Sequence, residues 1–147
     1  MLVRSSTAVW EGGIKNGKGT MKVGKGIWEG QYSFASRFEQ GAGTNPEELL
    51  GAAHAGCFSM ALSLILEQAG YKPGRISTTA RVHVEKSGEG FKITQIDLET
   101  EGAVQGLDAA TFREKAELAK KGCPVSAALS SVPINLAKAE LAKRMAA

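Results

Sequence analysis

The sequence predicts a single α+β domain over residues 1–147, and three observations carry that prediction. Residues 1–44 are rich in glycine and lack helical periodicity, so they read as an N-terminal β part of strands joined by turns. A proline-free stretch after Pro46 then runs to Gly70, about seven helical turns. Beyond it come an alternating hairpin, a second helical pattern and an apolar C-terminal strand, with no repeat and no linker. The composition is that of an ordinary globular chain able to bury a core: 147 residues, 43% hydrophobic, 22% charged and only four prolines. Eighteen Lys+Arg against fifteen Asp+Glu leave a net charge of +3, too weak a field to make nucleic acid the default partner.

The first strands are expected near Leu2–Trp10, Gly19–Val23 and Ile27–Phe38, with Asn16-Gly17 and Gly24–Gly26 supplying the positive φ of tight turns. Val9, Trp10, Ile14, Ile27, Trp28 and Phe34 are the candidates for core or sheet-face positions. At Gly43 the texture changes. Asn45 is an N-cap, Pro46 takes the first helical position, and Glu47 and Glu48 place carboxylates in the first turn. The helix that follows is apolar nearly all round, from Leu49 and Leu50 through Phe58, Met60, Leu62, Leu64 and Leu66, which predicts burial on every side, by sheet or by a second subunit. Its longest apolar run, Ala61–Leu66, is too short to span a bilayer.

Ile76, Thr78, Ala80, Val82 and Val84 alternate with polar neighbours, and Ser87–Gly90 turns the chain. The return strand carries Phe91 and Ile93 on one parity and Ile96 and Leu98 on the other, which predicts a β-bulge near Thr94 and Gln95. A helix over Asp108–Gly122 presents Phe112, Ala116 and Ala119 inward, with Glu117 and Lys121 paired outside. A short helix after Pro124 and a strand near Val132–Leu136 follow, and the last ten residues before Ala147 extend helically or fray.

Two motifs have bland readings. Gly12–Thr20 imitates a phosphate-binding loop, but Gly19 stands at the hydroxyl position and no helix follows, so a turn between strands is preferred. Lys15, Lys18, Lys22 and Lys25 lack interleaved stacking aromatics and read as solvated turn lysines.

The chemistry rests on two cysteines 66 residues apart, Cys57 and Cys123, with no C-x-x-C pair. The opening M-L-V-R-S-S-T-A-V-W has no long apolar run, so a cytoplasmic protein with reduced thiols is expected. Inert core thiols remain one reading, since free cysteine is among the most buried residue types. His54 stands three residues before Cys57, as a Cys-His hydrolase would need, though no oxyanion loop is recognisable. The spacing of Cys57, Cys123, His54 and His83 fits no common zinc site, so no metal is expected. Cys123 caps a helix start, a setting that favours thiolate. Dithiol redox chemistry is therefore a further reading.

The run N-P-E-E-L-L-G-A-A-H-A-G-C-F-S-M-A-L-S, Asn45 to Ser63, together with G-C-P-V-S, Gly122 to Ser126, resembles the OsmC/Ohr family of osmotically inducible and organic hydroperoxide resistance proteins. W-E-G-G-I-K-N-G-K-G-T, Trp10 to Thr20, and S-R-F-E around Arg37 favour its OsmC branch. The resemblance implies an intertwined homodimer with antiparallel sheets wrapped around long central helices. It implies a thiol-dependent peroxidase that reduces organic hydroperoxides, and hydrogen peroxide less well. Cys57 is then the peroxidatic cysteine, Cys123 the resolving one, Arg37 the activating guanidinium and Glu47 its carboxylate partner. No bound cofactor is implied. An external dithiol, for this family a lipoylated protein, resets the disulfide, and neither nucleic acid nor membrane is a partner. A carrier of small apolar ligands with incidental thiols is the alternative on the same fold.

Phe38, Phe58 and Met60 are candidates for an apolar substrate pocket or for plain core. Ten residues separate Glu47 from Cys57, roughly 15 Å along a straight helix, so Arg37 must bridge the gap or the helix must kink at Gly51 or Gly56.

Overall fold

The computed structural model describes residues 1–143, and the chain falls into two compact units, one ending at Leu49 and the other beginning at Leu50. In the first unit β1 (Ser6–Glu11), β2 (Lys18–Val23) and β3 (Trp28–Tyr32) form an antiparallel meander. Gly12, Gly24 and Gly26 take the positive φ of the turns. Gly17 does not, and its N–H instead closes on Gly13 O at 2.7 Å. β3 ends at Tyr32 rather than running to Phe38, because Ser33 starts the short helix α1 (Phe34–Phe38). Ser33 Oγ accepts from Ser36 N while Ser36 Oγ accepts from Ser33 N, a reciprocal cap that ends the strand.

Of the six candidates for core or sheet face, four are exposed and none of those four is core. Ile14 and Ile27 sit in turns, and Val9 and Trp28 lie on open positions of the thin sheet. Trp10 and Phe34 are half-buried. Trp10 packs on Tyr32 with ring centroids 5.4 Å apart, above Gly19, where any Cβ would collide with both rings.

The long helix α2 (Pro46–Gln68) starts where its sequence says, with Asn45 Oδ1 accepting from Glu48 N at 2.8 Å. No break interrupts it at Gly51 or Gly56. Gly51 serves a close approach instead: a Cβ there would lie 3.2 Å from Ala80 O. Within the single chain burial is confined to one row. His54, Phe58, Leu62 and Leu66, spaced four apart, are fully buried, whereas Met60 is 77% exposed and Leu64 55%. By length and composition alone α2 could cross a membrane, which the short run Ala61–Leu66 did not disclose, but this row puts one face of it in a protein core.

In the second unit β4 (Pro73–Ser87) and β5 (Gly90–Val104) form the hairpin. Its two-residue turn has Gly88 at φ 60, the position where a primed turn needs glycine. His83 pairs with Gln95 and Val84 with Ile93, so Thr94 is the extra residue and the bulge is where the parity change put it. The chain then crosses through α3 (Ala109–Gly122) and α4 (Pro124–Ala128) to β6 (Ile134–Leu141).

β6 pairs with β5 in parallel, so this sheet is not wholly antiparallel, and the helical crossover supplies the length a parallel return requires. The strand begins later than Val132 and continues through Leu141, where a helix or fray was expected. Residues 144–147 of that tail lie outside the described residues. Asp108 caps α3, and Phe112, Ala116 and Ala119 are its buried residues. Glu117 pairs with Lys120 at 3.1 Å and with Arg113 at 3.9 Å rather than with Lys121. The core joins Phe58, Leu62 and Leu66 to Ile96, Leu98, Phe112 and Leu136. Gly102 on β5 is small because the Phe112 ring lies on it, 2.7 Å from where a Cβ would stand.

Candidate functional site

The first unit builds a guanidinium–carboxylate pair from local chain geometry. Ser36 Oγ donates to Thr44 O at 2.7 Å, and Asn45 Nδ2 donates to Ser36 O at 3.0 Å. These bonds tie α1 to the first turn of α2. The chain between them turns at Gly43 (φ 113), where a Cβ would lie 2.6 Å from Gln31 O.

Arg37 is thereby brought to Glu47. Nε donates to Oε1 at 3.0 Å and Oε2 at 3.2 Å, and Nη2 donates to Oε1 at 2.6 Å. The fork is bidentate and orients the guanidinium as a lysine could not. Nη1 has no partner among the described residues and remains a donor for an oxygen ligand. Glu47 is buried, while the Arg37 side chain is 39% exposed. The guanidinium also lies 5.0 Å from the Phe38 ring and lines a cleft of about 220 Å³ with Trp10, Ile14, Tyr32, Phe34 and Phe38.

The second unit brings Cys57 and Cys123 together. Cys57 sits on α2, partly exposed, and Cys123 is fully buried between α3 and α4. Cys123 closes one helix and opens the next: its N–H donates to Ala119 O at 3.0 Å and its C=O accepts from Ala127 N at 3.1 Å. Pro124 fills the first position of α4, where a missing N–H costs nothing.

Both thiols are free and they share polar contact. Burial pushes the Cys57 thiol above its ordinary value, the hydrogen bond with Cys123 raises it further, and the Val125 backbone works the other way. For Cys123 burial also acts upward, but it is outweighed by the Cys57 thiol, by the backbone and hydroxyl of Ser126 and by the Val125 backbone, leaving it below the ordinary value. The Cys57 thiol is the largest of these lowering causes, and the first turn of α4 adds to it. Cys57 opens on a largely apolar cleft of about 770 Å³ lined by Met60, Ala61, Leu64, Gly122 and Pro124.

The four site residues named from sequence therefore form two pairs, Arg37 with Glu47 and Cys57 with Cys123. The apolar candidates separate: Phe58 is core, Phe38 lines the Arg37 cleft and Met60 the Cys57 cleft. His54 turns away from a Cys-His arrangement, with Nε2 2.7 Å from Ser126 Oγ. Its Nδ1 is buried without a partner among the described residues. Sequence reasoning passed over Ser126. The available signal was that Cys123 and Ser126 repeat on α4 the i,i+3 spacing of His54 and Cys57 on α2.

Residues 39–137 match the family model described as OsmC, OsmC-like protein. Over 129 residues the chain is 54% identical to Peroxiredoxin OsmC of Escherichia coli (strain K12), covering 87% of this chain and 90% of that protein. The chain belongs to the OsmC-like family. An organic hydroperoxide resistance protein of Xanthomonas axonopodis pv. citri (strain 306) is 36% identical over 87 residues, 58% of this chain and 59% of that protein. Among solved structures, the organic hydroperoxide resistance protein OhrB of Bacillus subtilis has a TM-score of 0.70 at 24% identity, covering 94% of this chain and 98% of its own. That from Elizabethkingia anophelis has a TM-score of 0.71 at 23% identity, covering 97% and 99%. At those identities the structures speak for the OsmC-like fold. Within it, the G-C-F-S and G-C-P-V segments are the ones that bring the two thiols together.

Proposed function

We propose that Cys57 and Cys123 are the redox centre of a thiol-dependent peroxidase that reduces organic hydroperoxides. The observation that carries this is the meeting, in one unit, of two free thiols 66 residues apart. Family membership at 54% identity to a peroxiredoxin supports the activity, and the relationship to an organic hydroperoxide resistance protein supports the substrate class. The apolar cleft beside Cys57 suits the carbon skeleton of such a substrate.

In the first step the Cys57 thiolate attacks the O–O bond, forming S–O, and the alkoxide leaves to take a proton as alcohol. Cys123 then attacks the sulfenic sulfur. The S–S bond forms, the S–O bond breaks, and hydroxide departs with the thiol proton as water. Arg37 is assigned by the family motif to hold the thiolate and the peroxide oxygens, with Glu47 fixing its fork. Nη1, without a partner among the described residues, and the bidentate bonds support that assignment.

An external dithiol resets the disulfide by exchange, a lipoylated protein by the family resemblance, and no bound cofactor enters the cycle. We further read residues 1–147 as one functional domain acting as a cytoplasmic homodimer without membrane or nucleic-acid partners. The exposed Met60 and Leu64 on α2 support a covering copy.

The test is one equivalent of cumene hydroperoxide followed by mass spectrometry. The expected product is a chain lighter by two hydrogens with Cys57 joined to Cys123. Equal peroxide consumption by wild type and Cys57→Ser would refute the assignment.

A further inference from the structure

Burial alone does not decide how α2 is turned about its own axis. The helix is apolar nearly all round, so rotating it exchanges one apolar row for another at little cost in buried area. Pairing of Cys57 with Cys123 nevertheless requires one rotation.

Two buried polar ties hold the helix. Ser59 Oγ donates to Thr78 Oγ1 at 2.8 Å, Thr78 Oγ1 lies 3.0 Å from Thr100 Oγ1, and Thr100 Oγ1 donates to Ser77 O at 3.3 Å, which fastens α2 to the β4–β5 hairpin. His54 Nε2 lies 2.7 Å from Ser126 Oγ, which fastens α2 to α4. Cys57 stands about 160° round the helix from Ser59 but only about 60° from His54, so the α4 tie is the one on its side.

His54 precedes Cys57 by three residues on a helix without a break. Ser126 follows Cys123 by three residues in the first turn of α4, where Ala127 N donates to Cys123 O at 3.1 Å. The polar contact and the thiols are therefore built on the same two short lengths of helix. Cys123 belongs to the core against which Cys57 packs, and its chain neighbours Gly122 and Pro124 line the cleft on which Cys57 opens. A turn of α2 that broke the His54 contact would carry Cys57 away from Cys123.

We propose that His54 and Ser126 are positioning residues, whose contact sets the rotation of α2 against α4 and so keeps Cys57 within reach of Cys123 for disulfide formation. The contact works with the proton on either atom, Nε2–H to Oγ or Oγ–H to Nε2. His54 is fully buried and Ser126 is 5% exposed, so water does not replace a lost bond. Nδ1 has no partner among the described residues, which leaves Nε2 as the ring's polar hold. A directed bond inside an apolar core selects one packing among several of similar burial.

The inference rests on the proposed redox centre for its purpose, but its test uses no peroxide. The chain is equilibrated in buffers of reduced and oxidised dithiothreitol or glutathione. An S–S bond forms in the protein as one breaks in the reagent, and the two thiol protons pass to the reagent. Acid quenching, alkylation and mass spectrometry give the fraction of Cys57–Cys123 disulfide. Ser126→Ala and His54→Leu are each expected to lower the equilibrium constant for the disulfide about tenfold, a rise of about 30 mV in reduction potential. His54→Gln, whose amide both donates and accepts, is expected to restore the wild-type constant. Thr100→Val removes a buried hydroxyl from within the hairpin and is expected to lower the melting temperature with the constant unchanged.

An unchanged constant in Ser126→Ala overturns the proposal, as does a His54→Gln chain that behaves like His54→Leu. A fall in Thr100→Val equal to that in Ser126→Ala also overturns it, since any loosening of the core would then suffice. Thermal melts identify a variant that fails to fold, and if His54→Leu does so, Ser126→Ala and His54→Gln decide. A wild-type chain that forms no Cys57–Cys123 disulfide in the most oxidising buffer sinks this proposal together with the redox centre. The stated shifts support the proposal even where no hydroperoxide is consumed, in which case the peroxidase reading alone falls.

Discussion

The two units place their apolar residues differently. From Leu50 on, the side chains picked out by periodicity are in the core: Phe112, Ala116 and Ala119 on α3, Ile96 and Leu98 on β5, and one row of α2. In the unit ending at Leu49, Val9, Ile14 and Ile27 face solvent, and the order comes from polar devices, the Ser33–Ser36 cap and the Arg37–Glu47 fork. The second unit is held by packing and carries the thiols within that packing. The first is held by directed bonds and carries the charge. A truncation in the core should therefore cost stability, and a change at the fork should cost activity.

Phe112→Ala gives the largest expected effect. Its ring is fully buried against Gly102, so its removal opens a cavity in the packed unit. A loss of about 3–5 kcal/mol is expected from chemical denaturation. A loss below about 1 kcal/mol would show that the core can collapse around the gap and would erase the contrast.

Arg37→Lys comes next. Lysine keeps the charge but cannot reproduce three directed bonds to Glu47. On the proposed mechanism kcat/KM for cumene hydroperoxide should fall about ten- to a hundredfold, the equivalent of about 1.4–2.7 kcal/mol. Because the side chain is partly exposed, the melting temperature should change little. A large stability loss with unchanged kcat/KM would reverse the roles assigned to the two units.

Asp97 tests a polar device inside the packed unit. Asn135 Nδ2 donates to Oδ1 at 2.9 Å, and His83 Nε2 lies 2.7 Å from Oδ2. The Asn135 bond is the main cause of an Asp97 pKa below its ordinary value; burial opposes it, and His83 and Gln95 assist. A lowered folded-state pKa means that the stabilisation is fully present above the unfolded-state pKa, near 4, and is lost as pH falls through the folded one. Asp97→Asn should therefore be less stable at pH 7 by about 0.5–1 kcal/mol, with the two stability curves converging below about pH 4. Parallel curves across that range would remove the carboxylate from the account.

The same contrast explains what the sequence disclosed. Side-chain parity exposed the Thr94 bulge, and a 3.6-residue period exposed the inner stripe of α3, because both are imprints of burial against a packed partner. Helix α1 escaped notice because five residues are too few for a period and its cap is two serines seen only in their reciprocal bonds. Residues 137–141 are ones at ease in a helix, yet all lie in β6, which pairs in parallel with β5. At the site, motif resemblance supplied Arg37, Glu47, Cys57 and Cys123. The His54–Ser126 contact joins residues 72 apart in sequence and carried no such motif.

The smallest expected effect lies in the open turns of the first unit. Ile27 is 91% exposed between β2 and β3, and Gly26 beside it at φ 89 sets the turn. At that exposure Ile27→Ser removes almost no buried area. It should change stability by less than about 0.5 kcal/mol. The informative control is concentration. If a second copy covers this side chain, the variant's melting temperature will fall behind wild type as protein concentration rises, because mass action stabilises only the chain that still associates. Equal shifts at low and high concentration place Ile27 in solvent in the working protein. A covering copy would then be sought elsewhere, for example on α2, where Met60 and Leu64 stand exposed.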